Sequence, residues 1–165
     1  VTRQPHSYCS YCGYPFAERQ AWPRRCARCE SITFRNPAPV ALILQPVGAG
    51  LLLIRRNIQP KQGQLALPGG YIDFGETWQT AAVRELAEET GLVIEPAALE
   101  HFGTHSTPDG AFILIFGLAP ALSPADLPPF QPSAETSERY LAFEPLELAF
   151  PLHTEVMRTF FARRR

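Results

Sequence analysis

No apolar run in this chain approaches the roughly twenty residues that a membrane-spanning helix requires. Charge of one sign is also missing: the formal net charge is −1 over 165 residues. The balance gives no electrostatic case for nucleic acid or an anionic membrane surface, so neither is expected as a partner. The N-terminal residues, with Arg3, Gln4 and His6 ahead of the cysteines, lack the apolar core of a secretory leader. A cytoplasmic location is therefore expected. The basic end Arg163-Arg164-Arg165 is short and reads as a solvated tail. Cysteine is absent beyond residue 29. What remains is 45% hydrophobic and 19% charged, the composition of an ordinary globular α/β chain with one sound core and a small appendage.

All four cysteines fall in the first 36 residues, as Cys9-Ser-Tyr-Cys12 and Cys26-Ala-Arg-Cys29. Two C-x2-C pairs across a short ribbon-like stretch suit one tetrahedral Zn²⁺, with Gly13 supplying a turn after the first pair. Disulfides or free buried thiols are the alternatives; the lack of a secretory leader and the tight spacing disfavour the disulfides. Four thiolates leave no open position for water, so the zinc is expected to be structural. Tyr8, Tyr11, Tyr14, Phe16 and Trp22 are expected to form the core of this small unit, with base stacking as the lesser reading, and His6 to lie at its surface. The expected division is residues 1–36 as a zinc ribbon and 37–165 as the main domain.

Within the main domain, Val40 to Leu44 and Leu51 to Ile54 read as a hairpin across Gly48 to Gly50. Val93-Ile94, Phe102 to Ser106, Ala111 to Leu118 and Leu141 to Phe143 read as further strands, and Phe112 to Phe116 as one buried on both faces. Pro108-Asp109-Gly110 is a turn. The proline-rich stretch Pro120 to Pro132 reads as a long, functional loop. Leu152 to Phe161 reads as a closing helix with Val156, Phe160 and Leu152 toward the core and His153 at its surface or cap.

The stretch from Gly70 to Leu92 is a glycine loop followed by a helix. Thr77 suits the N-cap and Gly91 the C-terminal turn. On that helix Glu85, Glu88 and Glu89 share one face, and Ala82, Val83 and Leu86 can face a core. No basic residue stands one turn below to offset the carboxylates. A solvated acidic face loosely paired with Arg84 is one reading. A site for hard divalent cations, which want several oxygen ligands, is the other and the favoured one.

The spacing resembles the Nudix signature G-x5-E-x7-R-E-U-x-E-E-x-G-U, with U aliphatic. It is met by Gly70, Glu76, Arg84, Glu85, Leu86, Glu88, Glu89, Gly91 and Leu92. The resemblance covers about residues 38–162 and implies a Nudix α/β/α sandwich with a mixed sheet, preceded by the zinc ribbon. It also implies hydrolysis of a nucleoside diphosphate linked to another moiety, by water attack on a diphosphate phosphorus. By the same resemblance Glu85, Glu88, Glu89 and the Gly70 carbonyl would hold Mg²⁺ or Mn²⁺. Glu85 or Glu135 would serve as general base, with Glu138 the second choice for an outlying carboxylate. Arg84 and Glu76 would form a structural pair. Arg55 and Arg56, at a strand end near the expected cleft, are either substrate-binding forks or surface charges.

A small-molecule nucleotide is thus the expected partner, and a homodimer is common in the family. A four-cysteine ribbon ahead of such a domain resembles the NADH pyrophosphatase group. Its S-Q-P-W-P-F-P type segment is missing, the equivalent region reading His105-Ser-Thr-Pro108-Asp-Gly110. ADP-ribose pyrophosphatases often carry a proline about sixteen residues after the box, where Pro108 stands. Arg55 to Pro60 behind a ribbon head resembles plant-type FAD and ADP-ribose pyrophosphatases. An ADP-linked substrate such as ADP-ribose or FAD is expected ahead of NADH or NAD. A ligand-sensing Nudix module or an RNA-directed role are the expectations from other classes.

Overall fold

The computed structural model describes residues 5–164 and divides into two compact units, Val1–Pro37 and Ala38–Arg165. In the first unit, β1 (Arg24–Arg25) and β2 (Ile32–Thr33) pair antiparallel. The two cysteine pairs adopt the same local geometry. The Cys9 N–H donates to Tyr14 O and the Gly13 N–H to Cys9 O; in the second pair the Cys26 N–H donates to Ser31 O and the Glu30 N–H to Cys26 O. Gly13 (φ 70°) and Glu30 (φ 61°) therefore occupy equivalent left-handed positions. Glycine takes that conformation without a steric cost, whereas a side chain does not. The tyrosines do not form the expected core: Tyr8, Tyr11 and Tyr14 are all exposed, whereas Cys9, Cys26 and Thr33 are buried.

The second unit is built on β3 (Ala38–Val47), β4 (Gly50–Arg56), β5 (Leu65–Ala66), β6 (Gly69–Tyr71), β7 (Glu100–Ser106), β8 (Phe112–Leu118) and β9 (Thr136–Ala142). Two helices, α1 (Trp78–Thr90) and α2 (Pro151–Arg163), cover it. The sheet runs β5-β4-β3-β8-β7, with β6 also paired to β3 and β9 to β4. The β3–β8 pair is parallel and the other pairs are antiparallel, so the sheet is mixed.

The continuously apolar runs follow from burial on both faces. Leu42, Leu44, Leu51, Leu53 and Phe116 point into one core with Val156, Met157 and Phe160 of α2. The intervening Ala41, Ile43 and Leu52 point into a second core with Ala81, Ala82 and Leu86 of α1. Alternation along the strands thus feeds two layers, which makes an α/β/α sandwich.

Several expectations need correction. Val93-Ile94 is not a strand; it leads into a 3-10 turn at Pro96–Ala98, where the proline at its start favours the turn. The last strand begins at Thr136 rather than Leu141, because Thr136 and Glu138 to Tyr140 already pair with β4, across a register shift at Arg55 and Arg56. Phe112 to Phe116 is only partly buried on alternate positions, since β8 is flanked by the edge strand β7. The proline-rich loop is packed down in part: Leu122 bridges to Val47, and Leu122 and Leu127 join the α1-side core. Arg163 and Arg164 are not a free tail, since their guanidinium groups lie over Phe102 at 4.4 Å and Phe160 at 5.2 Å; Arg165 lies outside the described residues.

Replacing Glu30 by glycine removes the left-handed strain at the second cysteine turn. The expected outcome is a gain of about 1 kcal/mol in the stability of that turn, read as slower metal release to a chelator. Faster release would contradict it.

Candidate active site and thiol cluster

The strand β6 is short because it is glycine at two of its three positions, and both glycines are required by what lies against them. Gly69 has φ 141°, and a Cβ there would sit 2.2 Å from Ala41 O. A Cβ on Gly70 would sit 2.4 Å from Glu85 Oε1. The bare backbone of β6, held on β3 by pairing at Val40, Ala41 and Leu42, is therefore a seat for the carboxylates of α1.

Helix α1 is capped as its sequence requires. Thr77 Oγ1 accepts from the Thr80 N–H at 3.1 Å, and Gly91 (φ 74°) closes the C-terminus with its N–H donating to Ala87 O. Between these caps Ala81, Ala82 and Leu86 are fully buried, which fixes the helix rotation and turns the glutamates toward β6. Glu89 accepts the Gly69 N–H at 2.8 Å. It is buried, has no ion-pair partner among the described residues, and its pKa is pushed up to about 8, first by burial and then by the charges of Glu85 and Glu135. Glu85 is also raised, by burial first, against the opposing pull of Arg84.

Arg84 organises the other end of the site. Its guanidinium grips Glu76 through Nε at 2.9 Å and Nη2 at 3.0 Å, donates to Tyr71 O at 3.1 Å, and reaches Glu85 at 2.8 Å and Glu88 at 3.5 Å. Glu76 is held down at about 2, chiefly by that hydrogen bond from Arg84. The offset to the acidic face thus comes from the preceding turn and not from the one below. Glu88 is the most exposed of the three helix carboxylates, at 60%.

Glu135, just before β9, lies near enough for its charge to raise both Glu85 and Glu89. Glu138 does not: it pairs with Arg55 at 2.6 Å, and Arg55 also donates to Gly63 O. Arg56 donates to Pro60 O at 2.9 Å, lies over the Phe150 ring, and sits near enough to Glu89 to lower that carboxyl slightly.

Two residues important to this architecture were not picked out from sequence. His153 is buried rather than at the surface; its Nδ1 accepts the Leu67 N–H at 3.3 Å, beneath the segment that leads to Gly69. Burial, then the charge of Arg56, lowers it to about 3, so it is neutral. Its spacing from Val156, Met157 and Phe160, which places all four on one helical face, was the available signal. Arg139 ties the C-terminal end of α1 to the proline-rich loop, donating to Thr90 O at 3.1 Å and Pro128 O at 2.5 Å. No local pattern marks it.

In the small unit the four cysteine sulfurs lie within 4.8 Å of one another, with Cys9 to Cys29 at 3.7 Å and Cys12 to Cys26 at 3.6 Å. Bonds of about 2.3 Å to a tetrahedral Zn²⁺ put sulfurs about 3.8 Å apart, so the cluster has the size such an ion requires. The Tyr11 and Arg28 N–H groups point at Cys9 and Cys26 sulfurs at 3.5 and 3.4 Å, which offsets thiolate charge.

Comparison with known proteins identifies the class of this mixed-sheet sandwich, in which helix carboxylates meet a glycine strand. Residues 34–163 match the NUDIX domain, and the chain belongs to that family. It is 34% identical over 93 residues to an NAD-capped RNA hydrolase of Edwardsiella ictaluri, over 56% of this chain and 36% of that protein. It is 48% identical over 59 residues to an ADP-ribose pyrophosphatase of Methanocaldococcus jannaschii, over 36% of this chain and 34% of that one. The matches thus span about a third of the length of each of these curated relatives. A NUDIX hydrolase structure from Nitrosomonas europaea superposes with a TM-score of 0.78 at 26% identity, over 96% of this chain and 92% of that one. No helix among the described residues is long and apolar enough to cross a membrane.

Because the folded carboxyl of Glu89 titrates near 8 against 4.5 unperturbed, its contribution to stability is full below about pH 4.5 and is lost as pH rises toward 8. Without divalent cations, Glu89→Gln is therefore expected to raise the thermal midpoint at pH 8.5 and leave it nearly unchanged at pH 4. Scanning calorimetry at both values checks this; a variant less stable at the higher pH would contradict it.

Proposed function

We propose that the chain is a divalent-metal-dependent pyrophosphohydrolase that cleaves an ADP-linked diphosphate such as ADP-ribose or FAD. The observation that carries this reading is the buried carboxylate of Glu89 on the Gly69 N–H, with no ion-pair partner among the described residues, beside Glu85 on the bare face of Gly70. Burying a carboxylate without a cation costs free energy that a bound cation would recover. Glu85, Glu88 and Glu89, with the Gly70 carbonyl, are the residues that would hold Mg²⁺ or Mn²⁺. Such ions neutralise diphosphate oxygens and make water a stronger nucleophile at neutral pH.

The remaining work falls to the chain's own groups. Arg84, held by Glu76 and Tyr71 O, positions Glu85 and keeps α1 in register with β6. Glu135 faces the same carboxylates from outside the helix and serves as base toward the attacking water. Arg56 is the better placed of the two expected forks for a phosphate oxygen, since Arg55 is engaged by Glu138 and Gly63 O. In the small unit Cys9, Cys12, Cys26 and Cys29 hold a structural Zn²⁺, as the spacing of the sulfurs supports.

The choice of an ADP-linked substrate draws on the two relatives, one named for ADP-ribose and the other for an NAD cap. Hydrolysis of NADH or NAD is the second reading, favoured by the 34% identity to the NAD-capped RNA hydrolase. Phosphate release, coupled to a phosphatase, from ADP-ribose, FAD, NADH and NAD with Mg²⁺ or Mn²⁺ separates the two. The expected result is cleavage of ADP-ribose or FAD ahead of NADH and NAD, reduced by more than about tenfold in Glu88→Gln. Turnover indifferent to metal and to that substitution would overturn the assignment.

A further inference from the structure

The near-neutral net charge conceals a segregation. Residues 1–37 hold six of the fifteen basic residues and two of the sixteen acidic ones, a formal +4, against −5 for residues 38–165. A tetrathiolate zinc site adds −2 to the small unit, which still leaves +2. The arginines Arg19, Arg25, Arg28 and Arg35 are exposed. Arg24 is not available: it is spent holding the unit together, over the Trp22 ring at 4.4 Å and donating to Gln20 O at 2.8 Å.

The same unit exposes aromatic rings that a tiny domain ordinarily buries. Tyr11 is 71% exposed and Phe34 is 63% exposed, and Tyr8 and Tyr14 are also exposed. Tyr8 also lines a hollow of about 460 Å³ with Phe16, Glu18, Arg19 and Arg24. The two cysteine turns, built alike, use their equivalent tip positions differently: one presents Tyr11 and the other Arg28. A ring offers a stacking face for a base, and a guanidinium offers a fork for a phosphate oxygen. At both tips the backbone is held by N–H donation to a cysteine sulfur, so only the side chains are ordered on binding.

We propose that the four-cysteine unit is a binding surface for single-stranded nucleic acid, with Tyr11 and Phe34 as stacking platforms and Arg28, Arg25 and Arg35 on the phosphates. Interleaved arginines and exposed rings suit an unpaired strand, whose bases have free faces, better than a duplex, whose bases are already stacked. This inference stands apart from the hydrolase reading, because it concerns different residues and is read by binding alone.

The test uses the full chain with zinc bound and fluorescein-labelled oligo(U), followed by anisotropy across a salt series, with a matched RNA duplex as the second probe. Neutralising two to four phosphates predicts a log–log salt slope of about −1.4 to −2.8. Tyr11→Ala and Phe34→Ala are each expected to weaken binding by about tenfold. Arg28→Gln is expected to weaken it and flatten the slope by about 0.7. Zinc content and circular dichroism confirm that each variant is folded. No binding of oligo(U) at low salt would overturn the proposal. So would equal affinity for the duplex, or aromatic variants that alter self-association in sedimentation while leaving oligo(U) affinity unchanged.

Discussion

The hydrogen bond from the Gly69 N–H to the buried carboxylate of Glu89 is the constraint on which the larger unit's site depends. It fixes the end of α1 to a strand that is itself fixed to the central β3. One turn back along the helix, Glu85 fills the space that a side chain on Gly70 would need. Glycine is therefore demanded twice by close approach, once against Ala41 O and once against a carboxylate. The helix cannot slide without losing both contacts.

Electrostatics in this arrangement are divided along the helix. At the Arg84 end a single guanidinium serves Glu76, Glu85 and Glu88; it holds Glu76 well below the usual carboxylate range, while at Glu85 it opposes a rise caused by burial. At the Glu89 end there is one N–H donor, burial, and two further carboxylates that repel. The protein thus concentrates its least comfortable charge beside its barest backbone. A fold that tolerates such a cost commonly does so for a ligand.

The helix, its caps and the spacing of its glutamates were legible because they are local: Thr77, Gly91 and the i, i+3, i+4 relation of Glu85, Glu88 and Glu89 are all set within one or two turns. The strands Phe102 to Ser106 and Ala111 to Leu118 were legible for the same reason. What escaped depends on partners distant in sequence. His153 looked like a surface residue because its acceptor role answers Leu67, 86 positions away. Arg139 acquires its purpose only where the proline-rich loop passes the end of α1. Thr136 to Tyr140 became a strand because β4 lay open to pair with it, against a local composition that reads as loop. The exposed tyrosines of the small unit reversed the usual expectation that aromatics make its core; the buried positions there include Cys9 and Cys26 instead.

The central claim is that the seat formed by β6 and α1 takes a divalent cation. Titration of Mn²⁺ into the zinc-loaded protein, followed by the electron paramagnetic resonance signal of free Mn²⁺, tests it without any assumption about substrate. The wild-type chain is expected to withdraw Mn²⁺ from solution, and Glu89→Gln to do so much less. Equal uptake by the two proteins, or none by the wild type, would contradict it.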